Sequence, residues 1–146
     1  VEPLRARHSI VFVVLLVAVL IAAYVANNRH PRYPAGTVDD DAIAMCDFKE
    51  LPLDVVAFID QIRKKQVVGH NVSEFPKLWT HLAIYEPWSS DDHVWYQLDL
   101  PMSDEHEDEF EAAKEGGGIP CWPVLGVKVS TAQAVIVKAA VYTQCL

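Results

Sequence analysis

Residues Ile10 to Ala26 read IVFVVLLVAVLIAAYVA, a run in which every side chain is apolar or Tyr, and no charge falls between Ser9 and Asn28. At about 1.5 Å per residue a helix of this run covers roughly 26 Å, and the uncharged flanks Ser9, Asn27 and Asn28 take it to about 30 Å, the thickness of a bilayer's hydrocarbon. Val and Ile are indifferent helix formers in water, but in lipid the backbone must satisfy its own hydrogen bonds, which forces helix. Tyr24 then falls near one interface, where an amphipathic ring is favoured. The run predicts a transmembrane helix over residues 10–28, preceded by a short flank over residues 1–9. Two rivals are a cleavable signal peptide and a buried soluble helix. Arg5 and Arg7 would be the basic leading region of a signal peptide, and Ala22, Ala23 or Ala26 could precede a cleavage point. The apolar core, however, exceeds the usual span of about 7–15 residues.

Around that run the chain has 146 residues, 12 basic and 20 acidic, for a net charge of −8 with 51% hydrophobic residues. That is one domain's worth of sequence, too acidic for a nucleic-acid binder and too rich in order-promoting residues for a disordered polyelectrolyte. The two averages belong to different objects. From Tyr33 onward there are 8 basic and 19 acidic residues, a net −11, so the apolar excess sits in one span and the acidity in the part that follows. Such a field favours solubility, repels anionic headgroups and attracts a basic partner. Orientation is poorly marked, because Arg5 and Arg7 on one side are matched by Arg29 and Arg32 on the other. A free α-amino group at Val1 would tilt the count toward a C-terminal domain on the face opposite the N-terminus.

Pro31 and Pro34 make residues 29–36 an extended linker, and an acidic extramembrane domain follows over residues 37–146. A short helix is expected from Asp41 to Glu50, with Asp39 to Asp41 offering caps. A longer one runs from Leu53 to Gln66, opened by Pro52 and stopped by Gly69; Val55, Ile59 and Ile62 share a face, and Arg63, Lys64 and Lys65 stand at the end the helix dipole prefers for cations. Alternation over Lys77–Tyr85 and over His93–Leu100 predicts a β-hairpin. Met102–Glu115 reads as a surface helix, with capping-box spacing from Asp104 to Glu107 and a stop at Gly116–Gly118. The Val-rich end is expected to form strands Val124–Val129 and Ala134–Thr143, with a buried helix over Thr131–Tyr142 as the alternative. The fold class expected is α+β: one N-terminal transmembrane helix, then a small domain with a hairpin or small antiparallel sheet and two or three helices.

The chemistry-bearing residues are scattered. Cys46, Cys121 and Cys145 include no CxxC, so zinc, iron–sulfur and dithiol roles lack their spacing, and a single disulfide, Cys121–Cys145 or Cys46–Cys145, is the expectation in an oxidising compartment. His81 and His93, with Asp91 and Asp92 adjacent, are the metal candidates, although no metal or cofactor is expected on balance. The acidic run Asp104–Glu109 lacks the ligand alternation and central Gly of a calcium loop. No phosphate loop, nucleophile elbow or dinucleotide fingerprint is present, so no catalytic residue is assigned and the chain is read as a non-enzyme. Asn71-Val72-Ser73 fits a glycosylation sequon. Trp88 and Trp122, in the Pro-containing stretches EPW and PCWP, and the basic triplet Arg63, Lys64 and Lys65 are candidate partner contacts.

These features point to a non-catalytic accessory subunit of a larger membrane complex, of respiratory, photosynthetic or ATP-synthase type. It would sit in an organellar or bacterial inner membrane, its partners other membrane subunits and the bilayer. The alternative resembles a type IV pilin, in which an N-terminal apolar helix precedes a β-rich head closed by a C-terminal disulfide; Cys121 and Cys145 look similar, while Arg5 stands where such pilins usually carry Glu. A third class is a membrane-tethered binding or redox module using His81, His93 or a cysteine.

Overall fold

A computed structural model describes residues 2–29 and 37–146, with side chains of the first helix described from Arg7 to Tyr24. Two compact units divide the chain, Val1–Tyr33 and Pro34–Leu146. The first holds one helix, α1 (Glu2–Arg29), which takes in the expected flank as well as the apolar run. Its window from Arg7 to Tyr24 is long and apolar enough to cross a membrane, as an anchor or as a signal sequence. The large apolar side chains from Ile10 to Tyr24 stand 47–71% exposed. Of the expected linker, residues 30–36 lie outside the described residues.

The second unit is α+β, built on a four-stranded antiparallel sheet in the order β1-β2-β3-β4, each strand beside its sequence neighbour. The strands are β1 (Ala83–Ile84), β2 (His93–Asp99), β3 (Cys121–Ser130) and β4 (Ile136–Cys145). Period-two alternation gives the sheet two faces. Tyr96 opposes Val127 and Leu98 opposes Leu125, while Val127 opposes Ala139 and Leu125 opposes Val141, so these residues share the inner face. Against it pack α2 (Asp40–Met45) and α3 (Leu53–Arg63), the latter through Val55, Phe58, Ile59 and Ile62 at helical spacing. Asp39 caps α2 by accepting from the Asp41 amide at 3.0 Å. Helix α3 stops three residues short of the expected Gln66, because Lys65 turns into the left-handed region at φ 56° and donates back to Ile62.

The first expected hairpin strand is largely absent. Over Lys77–Tyr85 only Ala83 and Ile84 join the sheet, and Leu78–Thr80 forms a 3₁₀ turn. Leu78 is fully buried and its neighbour Trp79 also packs on the core, its Nε1 donating to the Val72 carbonyl at 2.8 Å. A strand sends successive side chains to opposite faces, so two adjacent inward residues require a turn. Of the C-terminal strands, β3 extends past its expected bounds at both ends, while β4 begins two residues later than expected and ends two residues later; the helical alternative over Thr131–Tyr142 gives way to a tight connection through Ala134 at φ 53°. Helix α4 (Asp104–Glu115) begins after Ser103, which takes the N-cap position without a side-chain cap; Asp104 is already helical, so the expected capping box from Asp104 is not formed.

Candidate partner-binding face

The outer face of the sheet carries Trp95, Gln97 and Asp99 from β2, Trp122, Val124, Gly126 and Lys128 from β3, and Lys138, Ala140, Tyr142 and Gln144 from β4. It is not a plain solvent face. Trp95, Val124, Ala140 and Tyr142 are buried there, a second small core separate from the one under α2 and α3. Gly126 makes room for it: a Cβ at that position would stand 2.3 Å from Cζ2 of Trp95 and 2.9 Å from Cε1 of Tyr142. Only a residue without a side chain lets the two rings meet over the middle of β3.

A 3₁₀ turn, Glu86–Trp88, folds over these rings. The Trp88 ring lies 5.1 Å from that of Trp95, 5.3 Å from Tyr85 and 5.9 Å from Tyr142, within the range of favourable aromatic pairs. Ser89 holds the turn down, its hydroxyl donating to the Tyr85 carbonyl at 2.9 Å and accepting from the Trp95 amide at 3.0 Å. Burial pushes the Tyr142 phenol well above its ordinary range. At the far end of the same face Phe110 of α4 meets Trp122 edge-on at 6.1 Å, and Trp122 Nε1 donates to Asp99 at 2.8 Å. At the other end of the face from Trp122, Lys128 and Lys138 oppose each other across β3 and β4. Partial burial, then the charge of Lys128, lowers the pKa of Lys138.

Trp88 therefore stands on a turn, half-buried, as the expected loop position suggested, whereas Trp122 lies inside β3. The prolines around Trp122 read as loop in the sequence, but Pro120 precedes the strand and Pro123 sits near its start, where proline is tolerated. The basic triplet is split by its ion pairs. Arg63 reaches Asp40 at 3.3 Å, Lys64 reaches Asp60 at 2.9 Å, and Lys65 occupies the left-handed turn.

His81 and His93 are held by different partners. His81 Nε2 lies 3.2 Å from Asp54 on α3, and His93 Nδ1 lies 2.9 Å from Asp92. Among the described residues no group of three or more His, Cys, Asp or Glu side chains is gathered as metal ligands would be. Ser90, His93 and Asp92 make a side-chain cluster, but Ser90 and Asp92 both face the same ring nitrogen. A relay needs the hydroxyl on one nitrogen and the carboxylate on the other, so this cluster ties a loop instead of activating a nucleophile.

Cys121 and Cys145 are bonded to each other across β3 and β4, where they are register partners. Cys46 is a free thiol donating to the Ala42 carbonyl at 3.4 Å, and burial pushes its pKa up to about 11. Asn71 is engaged as the N-cap of the turn Val72–Glu74. Its oxygen accepts from Ser73, and its amide nitrogen donates to Gln133 at 3.4 Å, which occupies the atom a glycan would need. Two apolar hollows open elsewhere. One of about 240 Å³ lies between Phe58 and Phe75, and one of about 290 Å³ lies beside Trp79 and Tyr96. Both are smaller than the roughly 300–1,000 Å³ of typical small-molecule sites.

No protein-family model, no curated protein and no solved structure matches this chain.

Proposed function

We propose that this chain is a membrane-anchored, non-catalytic accessory subunit of a larger membrane assembly, whose acidic α+β domain docks other subunits through the outer face of its sheet. The observation that carries the reading is the exposure of α1. Twelve large apolar side chains from Ile10 to Tyr24 present 47–71% of their surface, and each stays out of water only in lipid or against neighbouring helices. The Cys121–Cys145 disulfide supports a domain on the oxidising side of a bacterial or organellar inner membrane. Trp88, half-buried on a turn beside a second small core, has the character of an interface anchor: a large amphipathic ring with its partners already in place.

A second reading is a filament subunit similar to a type IV pilin, favoured by one combination: an apolar N-terminal helix preceding an antiparallel sheet whose last two strands are closed by a disulfide. One experiment separates the two. The native membrane is extracted in mild detergent, and the species containing this chain is resolved on a native gel and identified by mass spectrometry. A fixed set of different proteins is expected; a homopolymer transfers the assignment to the filament, and a monodisperse monomer defeats both.

A further inference from the structure

On α3, the residues Asp54, Ala57, Phe58 and Gln61 recur at helical spacing and make one wall of the hollow of about 240 Å³. Ala57 is the reason that wall is recessed: it is an exposed position with one methyl group between the longer side chains of Asp54 and Gln61. Glu74, Phe75 and Leu78 face it from the segment joining two 3₁₀ turns, braced by the Phe75 amide donating to Val72 and the Leu78 amide donating to Phe75, each at 3.1 Å. Phe58 and Leu78 are buried beneath, and the Phe75 ring meets that of Phe58 edge-on at 5.1 Å. The hollow is thus apolar below and preformed, with a carboxylate on each wall. Lys77, on an exposed stem, is the cation of the lining, so the lining is net negative. His70 first and the Asn71 amide second keep Glu74 ionised. Oδ2 of Asp54 is buried 3.2 Å from His81 Nε2 but outside hydrogen-bond geometry, so among the described residues that oxygen accepts no hydrogen bond.

We propose that this hollow is a second docking point, which receives one arginine side chain from a partner subunit. The inference rests on the reading of the chain as a subunit of a larger assembly. Its volume falls short of a typical small-molecule site but suits a single long side chain. The aliphatic stem of an arginine lies along Phe58 and Leu78 as it would along any apolar surface. Its planar guanidinium stacks on the Phe75 ring and turns N–H donors toward Asp54 and Glu74. Lysine fits less well, because its ammonium is compact, strongly hydrated and neither planar nor forked. The charge is complementary at longer range too, since the chain from Tyr33 onward carries a net −11 and draws a basic partner toward this face.

The test titrates the full ¹⁵N-labelled chain in nanodiscs with a capped Ala-Arg-Ala peptide at constant ionic strength. Amide resonances of Ala57, Gln61 and Phe75 are expected to move saturably at about millimolar peptide. The same peptide with norleucine for arginine binds about fivefold more weakly, and Asp54→Asn costs a similar factor, as one ion pair is worth about 1 kcal/mol at most near a surface. Ala57→Leu fills the recess with a good helix former, so it abolishes binding while amide exchange in α3 stays protected. Shifts that do not saturate, that are equally large along Asp104–Glu115, or that survive Ala57→Leu overturn the proposal. In the native membrane, Ala57→Leu is expected to weaken recovery of the partner subunits on a native gel. A parent chain that runs as a monomer removes the partner and defeats both readings, whereas a parent and an Ala57→Leu chain that assemble equally overturn this docking point alone.

Discussion

At the scale of single residues, Gly126 and Cys46 make sharp predictions. Gly126→Ala places a methyl group far inside van der Waals contact with the Trp95 ring, so the rings must shift; overpacking of this kind costs about 1–3 kcal/mol, read as a lower urea midpoint with little change in slope. The raised pKa of Cys46, about 11 against an ordinary 9.0, leaves about a hundredfold less thiolate at neutral pH, since each unit is a factor of ten. Alkylation of Cys46 in the folded chain is therefore expected to be about a hundredfold slower than that of an exposed thiol at pH 7, and to accelerate with rising pH. Two carboxylates are held below their ordinary range. The pKa of Glu74 is held down by His70 and the Asn71 amide, and that of Asp92 by Ser90 and His93. A depressed carboxyl adds stability above its unfolded pKa and loses it as pH falls through the folded one, so both contributions are present at neutral pH and disappear in acid. Thermal melts between pH 7 and 3 should fall less steeply in Glu74→Gln than in the parent. None of this was legible in the sequence, because the meaning of Gly126 or Asp92 depends on what the fold lays over it.

At the scale of elements the sequence was more legible. Helix α3 and strand β2 begin where periodicity and Pro52 put them, and the C-terminal Val-rich strands differ from expectation only at their ends. The failures share a cause. Alternation over Leu78, Thr80, Leu82 and Ile84 imitates a strand, but burial of both Leu78 and Trp79 is a tertiary demand that no local pattern records. Likewise the burial of Trp95 on the outer face of β2 depends on the Trp88 turn, seven residues upstream, folding over it. The disulfide, one of the two pairings expected, closes a 24-residue separation at the open end of β3 and β4. Chain-entropy reasoning gives such a bridge about 3 kcal/mol, so Cys145→Ser or reduction should lower unfolding stability by about that amount in a denaturant titration. Helix α4 is held by little more than Phe110 on Trp122; Phe110→Ala should speed amide exchange across Asp104–Glu115 by more than tenfold while leaving β3 protected.

At the scale of the whole molecule, the apolar run and the acidic remainder were both plain from residue counts, while the job they serve was not, since partners leave no mark in one chain's composition. The chain reaches the sheet through Val38, which forms a parallel bridge to Val141 on β4, with the Asp39 amide donating to Val141 and the Val141 amide donating to Thr37. Anything that tugs on the residues before Thr37 therefore loads β4 first. Because that short segment runs parallel to the strand, traction along it shears both hydrogen bonds together instead of peeling them singly. From β4 the force passes sideways into β3 through a ladder of nine residue pairs and one covalent bond at Cys121–Cys145. Strand β4, the last of the four in the chain, is the mooring of the domain.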